Sequence, residues 1–409
     1  MTRRAALAVA AACLPALAAH AAEWTWGGSL AGRVEQISNP TLAVPAAPTD
    51  SRRAVAATGQ LASRAEDWDA ALDAHYTWNE SSTPILDIDE YGLVFGGHRL
   101  FERDTLGLSA STRRDASLAN VATPSGASIA LAQRDTSNIA PTWRHSLTER
   151  WTLDAEASAQ TVAYGQRTPG LVDFSSTGGS VGLKYRLSPI LDLSLGANAL
   201  RFRTDPATTA SDSRGWTAGL HYLPNDYWTL DASFGGTRVK SRFTATSLIC
   251  PVAPVIFCET GLVPFLAVGT EREGTVQGST WNAAASYVPD ERNTLLLLST
   301  RSVGPSGGGS LSVTESVGVT YTRRLTDRVS VTADASRRST AIVGASAIGS
   351  ATRTSYASAS LAWQLAERWT LDAGARWLRS RLPSGGSPES ATLFVSLRYA
   401  VSQQPLRGP

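Results

Sequence analysis

The amino-acid sequence predicts an all-β fold, a transmembrane antiparallel β-barrel of about 18 strands, with about 16 as the lower bound. The first observation is the alternation of apolar and polar residues in segments such as residues 369–377, WTLDAGARW. Alternation with a period of two gives a β-strand one apolar and one polar face. The second is that short polar turns alternate with longer loops rich in Ser, Thr, Gly and Pro. The third is that Trp and Tyr flank the short turns, as in membrane-barrel girdles.

A hairpin unit recurs along the chain. Clear copies are RHSLTERWTLDA at 144–155, YLPNDYWTLDA at 222–232 and YTRRLTDRVSVTADA at 321–335. Their spacing is irregular, whereas a solenoid would keep a tighter period. A large soluble β-sandwich or propeller is the alternative, but Leu and Ala flanked by Trp and Tyr suit a lipid-facing surface better.

The start of the chain is typical of a secretory signal peptide, residues 1–21. Arg3 and Arg4 supply the positive start, residues 5–17 are apolar but too short to span a bilayer, and residues 19–21 form a small-x-small cleavage site. A membrane anchor is the alternative interpretation. We therefore expect an exported chain whose residues 22–409 form the barrel in the outer membrane, with both ends in the periplasm and no plug domain before the barrel.

Alternation and turn signals place each strand in order. The predicted spans are 24–36, 55–64, 68–79, 90–100, 105–113, 136–145, 151–164, 177–187, 191–203, 214–223, 227–239, 275–288, 293–303, 314–324, 329–338, 353–365, 369–380 and 391–401. The girdle at the short turns is predicted to include Trp68, Trp143, Trp151, Tyr185, Tyr222, Trp228, Tyr287, Tyr321, Trp363, Trp369 and Tyr399. The opposite girdle would draw on Trp78, Tyr164, Trp281 and Trp377.

Composition narrows the functional classes. The formal net charge of +2 gives no reason to expect a nucleic-acid partner. After the first 21 residues the chain has no apolar run long enough for a transmembrane helix. The expected partner of the barrel surface is therefore outer-membrane lipid, which β-strands and not helices would contact.

Charged residues recur at inward positions beside the short turns. The inward acids are predicted to be Asp69, Asp154, Asp192, Asp231, Asp334 and Asp372, and the inward bases Arg144, Lys184, Arg186, Arg324 and Arg398. Arg186 and Asp192 should lie opposite each other around their turn. These residues could form a charged ring that biases what passes the mouth, or salt bridges that only brace the wall. We favour the second interpretation.

Catalytic and cofactor motifs are weak. His75, His98, His145 and His221 show no metal-ligand spacing. The adjacent His145 and Ser146 have no evident third member of a triad. We find neither a phosphate-binding Gly-rich loop nor a nucleophile elbow. The sequence therefore predicts no enzyme activity, no metal and no cofactor.

The most distinctive predicted loop runs from Phe243 to Glu271 and contains Cys250 and Cys258. In an exported chain the two thiols lie in an oxidising compartment, which predicts a disulfide that closes this loop. The loop is apolar and would be exposed if it stood in solvent. It could fold into the lumen as a constriction, or pack as a stapled surface loop on its neighbours.

The repeated units, with LTERWTLDA and LAERWTLDAGA, resemble the EpsL-like outer-membrane β-barrels of Gram-negative exopolysaccharide and exosortase (PEP-CTERM) systems. The stretch TRSVGPSGGGSLSVTESVGVTY at 300–321 resembles a piece of that family most closely. The resemblance implies a channel in exopolysaccharide secretion, with polysaccharide and periplasmic export components as partners. A general diffusion or substrate-uptake porin is one alternative, and a closed structural or docking barrel is another.

Overall fold

The computed structural model describes residues 22–83, 86–116, 132–165, 171–205, 208–249, 266–305, 311–343, 351–381 and 386–405. These residues form an 18-stranded antiparallel sheet. The strands are β1 Glu23–Ile37, β2 Asp50–Arg64, β3 Trp68–Ser81, β4 Glu90–Leu100, β5 Asp104–Ala116, β6 Gln133–Ser146, β7 Trp151–Tyr164, β8 Asp173–Ser188, β9 Leu191–Asp205, β10 Thr209–Asn225, β11 Trp228–Ile249, β12 Leu266–Asp290, β13 Asn293–Pro305, β14 Leu311–Thr326, β15 Val329–Val343, β16 Thr352–Ala366, β17 Trp369–Arg381 and β18 Glu389–Pro405.

The sheet closes on itself. Each strand pairs with the next along the chain, and β1 pairs with both β2 and β18. The closing register sets Leu30 opposite Tyr399 and Val34 opposite Val395. Closure matters because a backbone amide left unpaired in lipid costs several kcal/mol, and a closed barrel pairs the amides between strands. The prediction of an 18-stranded antiparallel barrel is therefore confirmed.

The two faces of the wall differ in chemistry. Phe202 has no exposed surface, although it lies on a sheet that is only one layer thick. Only the concave side of a closed barrel can cover such a residue, so the face that carries Phe202 and Asn198 looks into the lumen. The opposite face carries exposed apolar side chains such as Leu195 and Val181. The polar positions of the predicted alternation thus point inward and the apolar ones toward lipid.

Aromatic pairs mark the end of the barrel with the short turns, which we name the short-turn end; the other is the long-loop end. Ring centroids lie 4.5 Å apart for Trp151 and Tyr185, and 4.5 Å for Trp228 and Tyr287. These pairs sit on adjacent strands of the outer face and confirm the predicted girdle there. The placement of Tyr164 in the opposite girdle was wrong, because its side chain packs inside the lumen against a buried apolar cluster.

The hairpin of β11 and β12 is longer than the sequence suggested. The predicted loop began at Phe243, whereas β11 continues to Ile249 and β12 begins at Leu266. The two strands stay paired over this extension because each edge satisfies the other's backbone groups. No helix that could cross a membrane is found in the ranges that the structure describes.

The distinction between the two faces can be tested at neighbouring positions. Val181→Arg places a charge on the lipid side beyond Tyr185 and is expected to cost about 2–4 kcal/mol of folding free energy near the bilayer midplane. Ser180→Arg points into the polar lumen, opposite Glu156, and is expected to cost much less. Urea titration of Trp fluorescence in lipid vesicles measures both. Equal costs would contradict the assignment of the faces.

Candidate functional site

The lumen contains a cavity of about 1100 Å³ along the inner wall from β4 to β13. Its lining is made largely of hydroxyl, amide and glycine positions. Representative members are Ser194, Asn198, Ser213, Thr217, Thr237 and Asn282. Such groups both donate and accept hydrogen bonds, so the wall can exchange hydrogen bonds with hydrated polar solutes.

Charge is concentrated at the short-turn end of this cavity. Asp154 of β7 accepts a hydrogen bond from Arg144 Nε of β6 at 2.7 Å, and Lys184 Nζ of β8 lies 3.0 Å from its other oxygen. The three residues face each other because β6, β7 and β8 are adjacent and all three positions are inward. Asp154 is therefore clamped between two cations.

Two further pairs of opposite charge lie beside the short turns. Arg186 lies opposite Asp192, as expected, with Nε 3.6 Å from Oδ1. Asp231 pairs with His221 through a 2.7 Å contact to Nδ1. The sequence had named Asp231 but assigned His221 no partner. The two residues are directly opposite each other in the register of β10 and β11.

Of the other predicted residues, Asp69 lies 2.5 Å from His98 Nδ1, and the rest are not paired with an opposite charge on a described residue. Asp334 accepts hydrogen bonds from Thr320 Oγ1 at 2.8 Å and Ser358 Oγ at 3.0 Å. Asp372 and Arg398 lie on adjacent strands, with Asp372 opposite Ser396, and form no ion pair with any described residue. The eleven predicted inward charges thus divide into residues on β3 to β9 and β11 that are paired with an opposite charge, and residues on β14 to β18 that form no ion pair with a described residue.

The paired charges fit a bracing role for the wall. Exposed ion pairs contribute about 0–1 kcal/mol each, because water screens them and ordering two side chains costs entropy. In the described ranges, no group of three or more His, Cys, Asp or Glu side chains is arranged to hold a metal. What these residues can do chemically is set the electrostatic potential at the mouth.

At the long-loop end the β13–β14 hairpin leaves the wall. Pairing between β12 and β13 stops at Trp281 and Arg301. Above that level β12 continues to Leu266 paired with β11, and β13 continues to Pro305 paired with β14. We name residues 302–305 and 311–314 the hairpin end.

The hairpin end folds into the lumen. Leu311 is 1% exposed and belongs to one apolar cluster with Val162, Phe174, Phe202 and Val239. Along the wall, β14 is three strand spacings from β11, about 14 Å, which is too far for side-chain contact. Leu311 also alternates in phase with Val317, which faces lipid. The hairpin end must therefore bend off the wall to reach the inner face of β7–β11.

This constriction was not predicted. For the predicted loop that contains Cys250 and Cys258, a constriction was one of two alternatives and a stapled surface loop was the other. Both cysteines lie outside the described residues, as does the predicted signal peptide. The only sequence signal for the hairpin end is the alternation of Leu311 and Val313 with Ser312 and Thr314, which is indistinguishable from an ordinary lipid-facing strand.

Neither a protein-family model nor a curated protein matches this sequence. Among solved structures, OpdO of Pseudomonas aeruginosa is 12% identical with a TM-score of 0.47, covering 93% of this chain and 97% of that one. The P. aeruginosa outer membrane protein opdK is 12% identical with a TM-score of 0.46, covering 92% and 98%. The ferric-catecholate import receptor Fiu of E. coli K12 is 12% identical with a TM-score of 0.41, covering 91% and 81%.

With its closed sheet, lipid-facing apolar surface and polar lumen, the chain is an outer-membrane β-barrel with a porin-like fold.

The role of the charges at the mouth can be tested with Asp154→Asn. The change leaves Arg144 and Lys184 without their carboxylate, so the mouth becomes more positive and the reversal potential in a salt gradient is expected to move toward anion selectivity. Asp212→Asn is the matched control, because Asp212 pairs with Arg201 at 2.9 Å on the outer face. An unchanged reversal potential in Asp154→Asn would leave only the bracing role.

The constriction can be tested with Leu311→Ala. Truncating a buried Leu typically costs about 2–5 kcal/mol, and here the loss weakens docking of the hairpin end. The expected result is a larger single-channel conductance. Val317→Ala on the lipid side of the same strand should leave conductance unchanged, since Val317 is 61% exposed. Equal conductance in wild type and both variants would mean that the hairpin end does not narrow the path.

Proposed function

We propose that this barrel is a passive outer-membrane conduit for hydroxyl-rich chains, and that its cargo is exopolysaccharide leaving the cell. The observation that carries the proposal is the wall of the cavity. Ser, Thr and Asn side chains from β6 to β13 line it, with Ser213 and Thr237 joined by a 3.0 Å hydrogen bond. The hydroxyl and amide groups of this wall can take the place of water as hydrogen-bond partners of sugar hydroxyl groups.

The repeated hydroxyl groups along this wall suit a conduit. Conduction requires binding that is favourable enough for the cargo to enter but weak and repeated enough for it to leave. The lining offers many equivalent hydroxyl groups, such as Ser180, Ser194 and Thr217, at successive inward positions. A polymer can therefore slide by exchanging one hydrogen bond for the next.

The two ends of the lumen give the conduit a direction in this proposal. The short-turn end is charged, with Arg144 and Lys184 beside Asp154. The long-loop end is narrowed by the hairpin end. A chain delivered by periplasmic export components would meet the charged mouth first, and the EpsL-like resemblance of the hairpin units agrees with such a partner.

Two other functions draw on specific observations. The same hydroxyl-lined wall would serve small polar solutes, which is the general diffusion or substrate-uptake porin. The apolar cluster around Leu311 fills part of the long-loop end, and a lumen closed there would make the barrel a structural or docking protein.

Single-channel recording of the refolded protein in a planar bilayer tests the proposal, with dextran as the neutral polysaccharide probe. Export predicts open steps that dextran blocks transiently, and more often from the short-turn side than from the long-loop side. Glucose at equal mass concentration is the control and should block much less. Open steps that ignore dextran would favour a diffusion porin, and a folded barrel without open steps would favour the docking role.

A further inference from the structure

We propose that Arg33, Arg376 and Arg52 form a binding site in the lumen for a carboxylate-bearing saccharide, such as a uronic acid residue. The site lies on β1, β2, β17 and β18, across the lumen from the neutral cavity. Arg33 is near the end of β1 and Arg52 is near the start of β2, so the site belongs to the long-loop end.

The centre of the site is the ring of Phe394. The guanidinium carbon of Arg33 lies 4.2 Å from the ring centroid, and that of Arg376 lies 4.9 Å from it. Gly374 makes this stack possible, because a Cβ there would come within 2.8 Å of Phe394 Cζ. The ring therefore lies against β17 and contacts two cations, each through a cation–π interaction.

The site contains more guanidinium groups than carboxylates to pair with them. Arg33 Nε approaches a carboxylate oxygen of Glu35. Arg52 reaches Glu90 only at 3.9 Å. Over the described part of the chain, no carboxylate lies within salt-bridge distance of Arg376, which contacts the Phe394 ring. Three guanidinium groups thus share two carboxylates.

Hydrogen-bond donors in the site are also left over. Arg33 Nη2 and Arg52 Nε are shielded from water and have no hydrogen-bond acceptor among the described residues. A donor left in this way costs free energy that an incoming acceptor recovers. The side chains of Arg33 and Arg52 remain 27% and 25% exposed, so part of each side chain faces the lumen.

A carboxylate is the ligand group that these features favour. A guanidinium is planar and matches a carboxylate with two parallel hydrogen bonds, and the match is stronger where water is partly excluded. The inward residues that flank Phe394 on β18 are Thr392, opposite Arg376, and Ser396, opposite Arg33. Their hydroxyl groups can bind the ring hydroxyls of a sugar. In naming a saccharide the inference rests on the proposed function.

Isothermal titration calorimetry of the detergent-refolded full chain tests the site without requiring conductance. Glucuronate is the probe, and glucose, which lacks the carboxylate, is its neutral match. Wild type is expected to bind glucuronate at least tenfold more tightly than glucose, with an affinity that falls as salt is added. Arg376→Gln is expected to remove most of this difference.

Arg379→Gln is the matched control variant. Arg379 lies on the same strand but on the outer face, where its Nε is 3.3 Å from Glu389, and the change should leave glucuronate binding unchanged. Phe394→Leu removes the ring but no charge, and should weaken binding through loss of the stacked geometry. If Arg376→Gln fails to fold, the proposal is still tested by Phe394→Leu and by comparing glucuronate with glucose binding to wild type.

Equal binding of glucuronate and glucose by wild type would overturn the inference, as would equal loss in the Arg376 and Arg379 variants. Inorganic phosphate that binds more tightly than glucuronate would overturn the assignment of the carboxylate. These outcomes leave the proposed function untouched, because export is read from dextran block in the bilayer and dextran carries no charge. If dextran does not block the channel but wild type still prefers glucuronate, export of neutral polymers is contradicted and the arginine site is supported.

Discussion

The pairing of β1 with β18 is the constraint on which the rest of this structure depends. Without it the two terminal strands would leave rows of amide and carbonyl groups facing hydrocarbon, at several kcal/mol each. Closure fixes the register of every strand, and the register fixes which side chains share the lumen. The alternation of Leu195 and Asn198 across the wall has meaning only because the sheet is closed.

A closed wall also explains how one chain can hold two different chemical surfaces inside. The β6 to β13 side presents neutral hydroxyl groups and a mouth where Asp154 is neutralised by two cations. The opposite side carries Arg33 and Arg376 on the ring of Phe394. A polymer in the lumen would meet both surfaces at once, so weak neutral contacts could permit movement while a few charged contacts select the cargo.

The hairpin end shows how a barrel narrows itself without a separate domain. The β12–β13 ladder stops at Trp281 and Arg301, and the loss of those pairs frees the hairpin end to turn inward. Burial of Leu311 against lumen-facing side chains stabilises the turned position, since burying a Leu gains about 1.5–3 kcal/mol. Burial of the Leu311 side chain thereby offsets the loss of backbone hydrogen bonds between β12 and β13.

Most of the fold could be predicted from the sequence, because alternation and turn chemistry are local and each strand carries its own signal. The 18 strands, the outward Trp and Tyr and the opposition of Arg186 and Asp192 all follow from period-two placement around short turns. The partner of Asp231 and the isolation of Asp372 did not follow, because they depend on register between strands.

The sequence by itself thus determined which residues face lipid and which face water, since that depends on spacing along one strand. The tertiary structure alone decided where Leu311 lies, because it obeys the pattern of a lipid-facing strand and yet meets side chains from distant strands. It also decided that Arg33, Arg376 and Phe394 meet, which requires that the first strand close against the last.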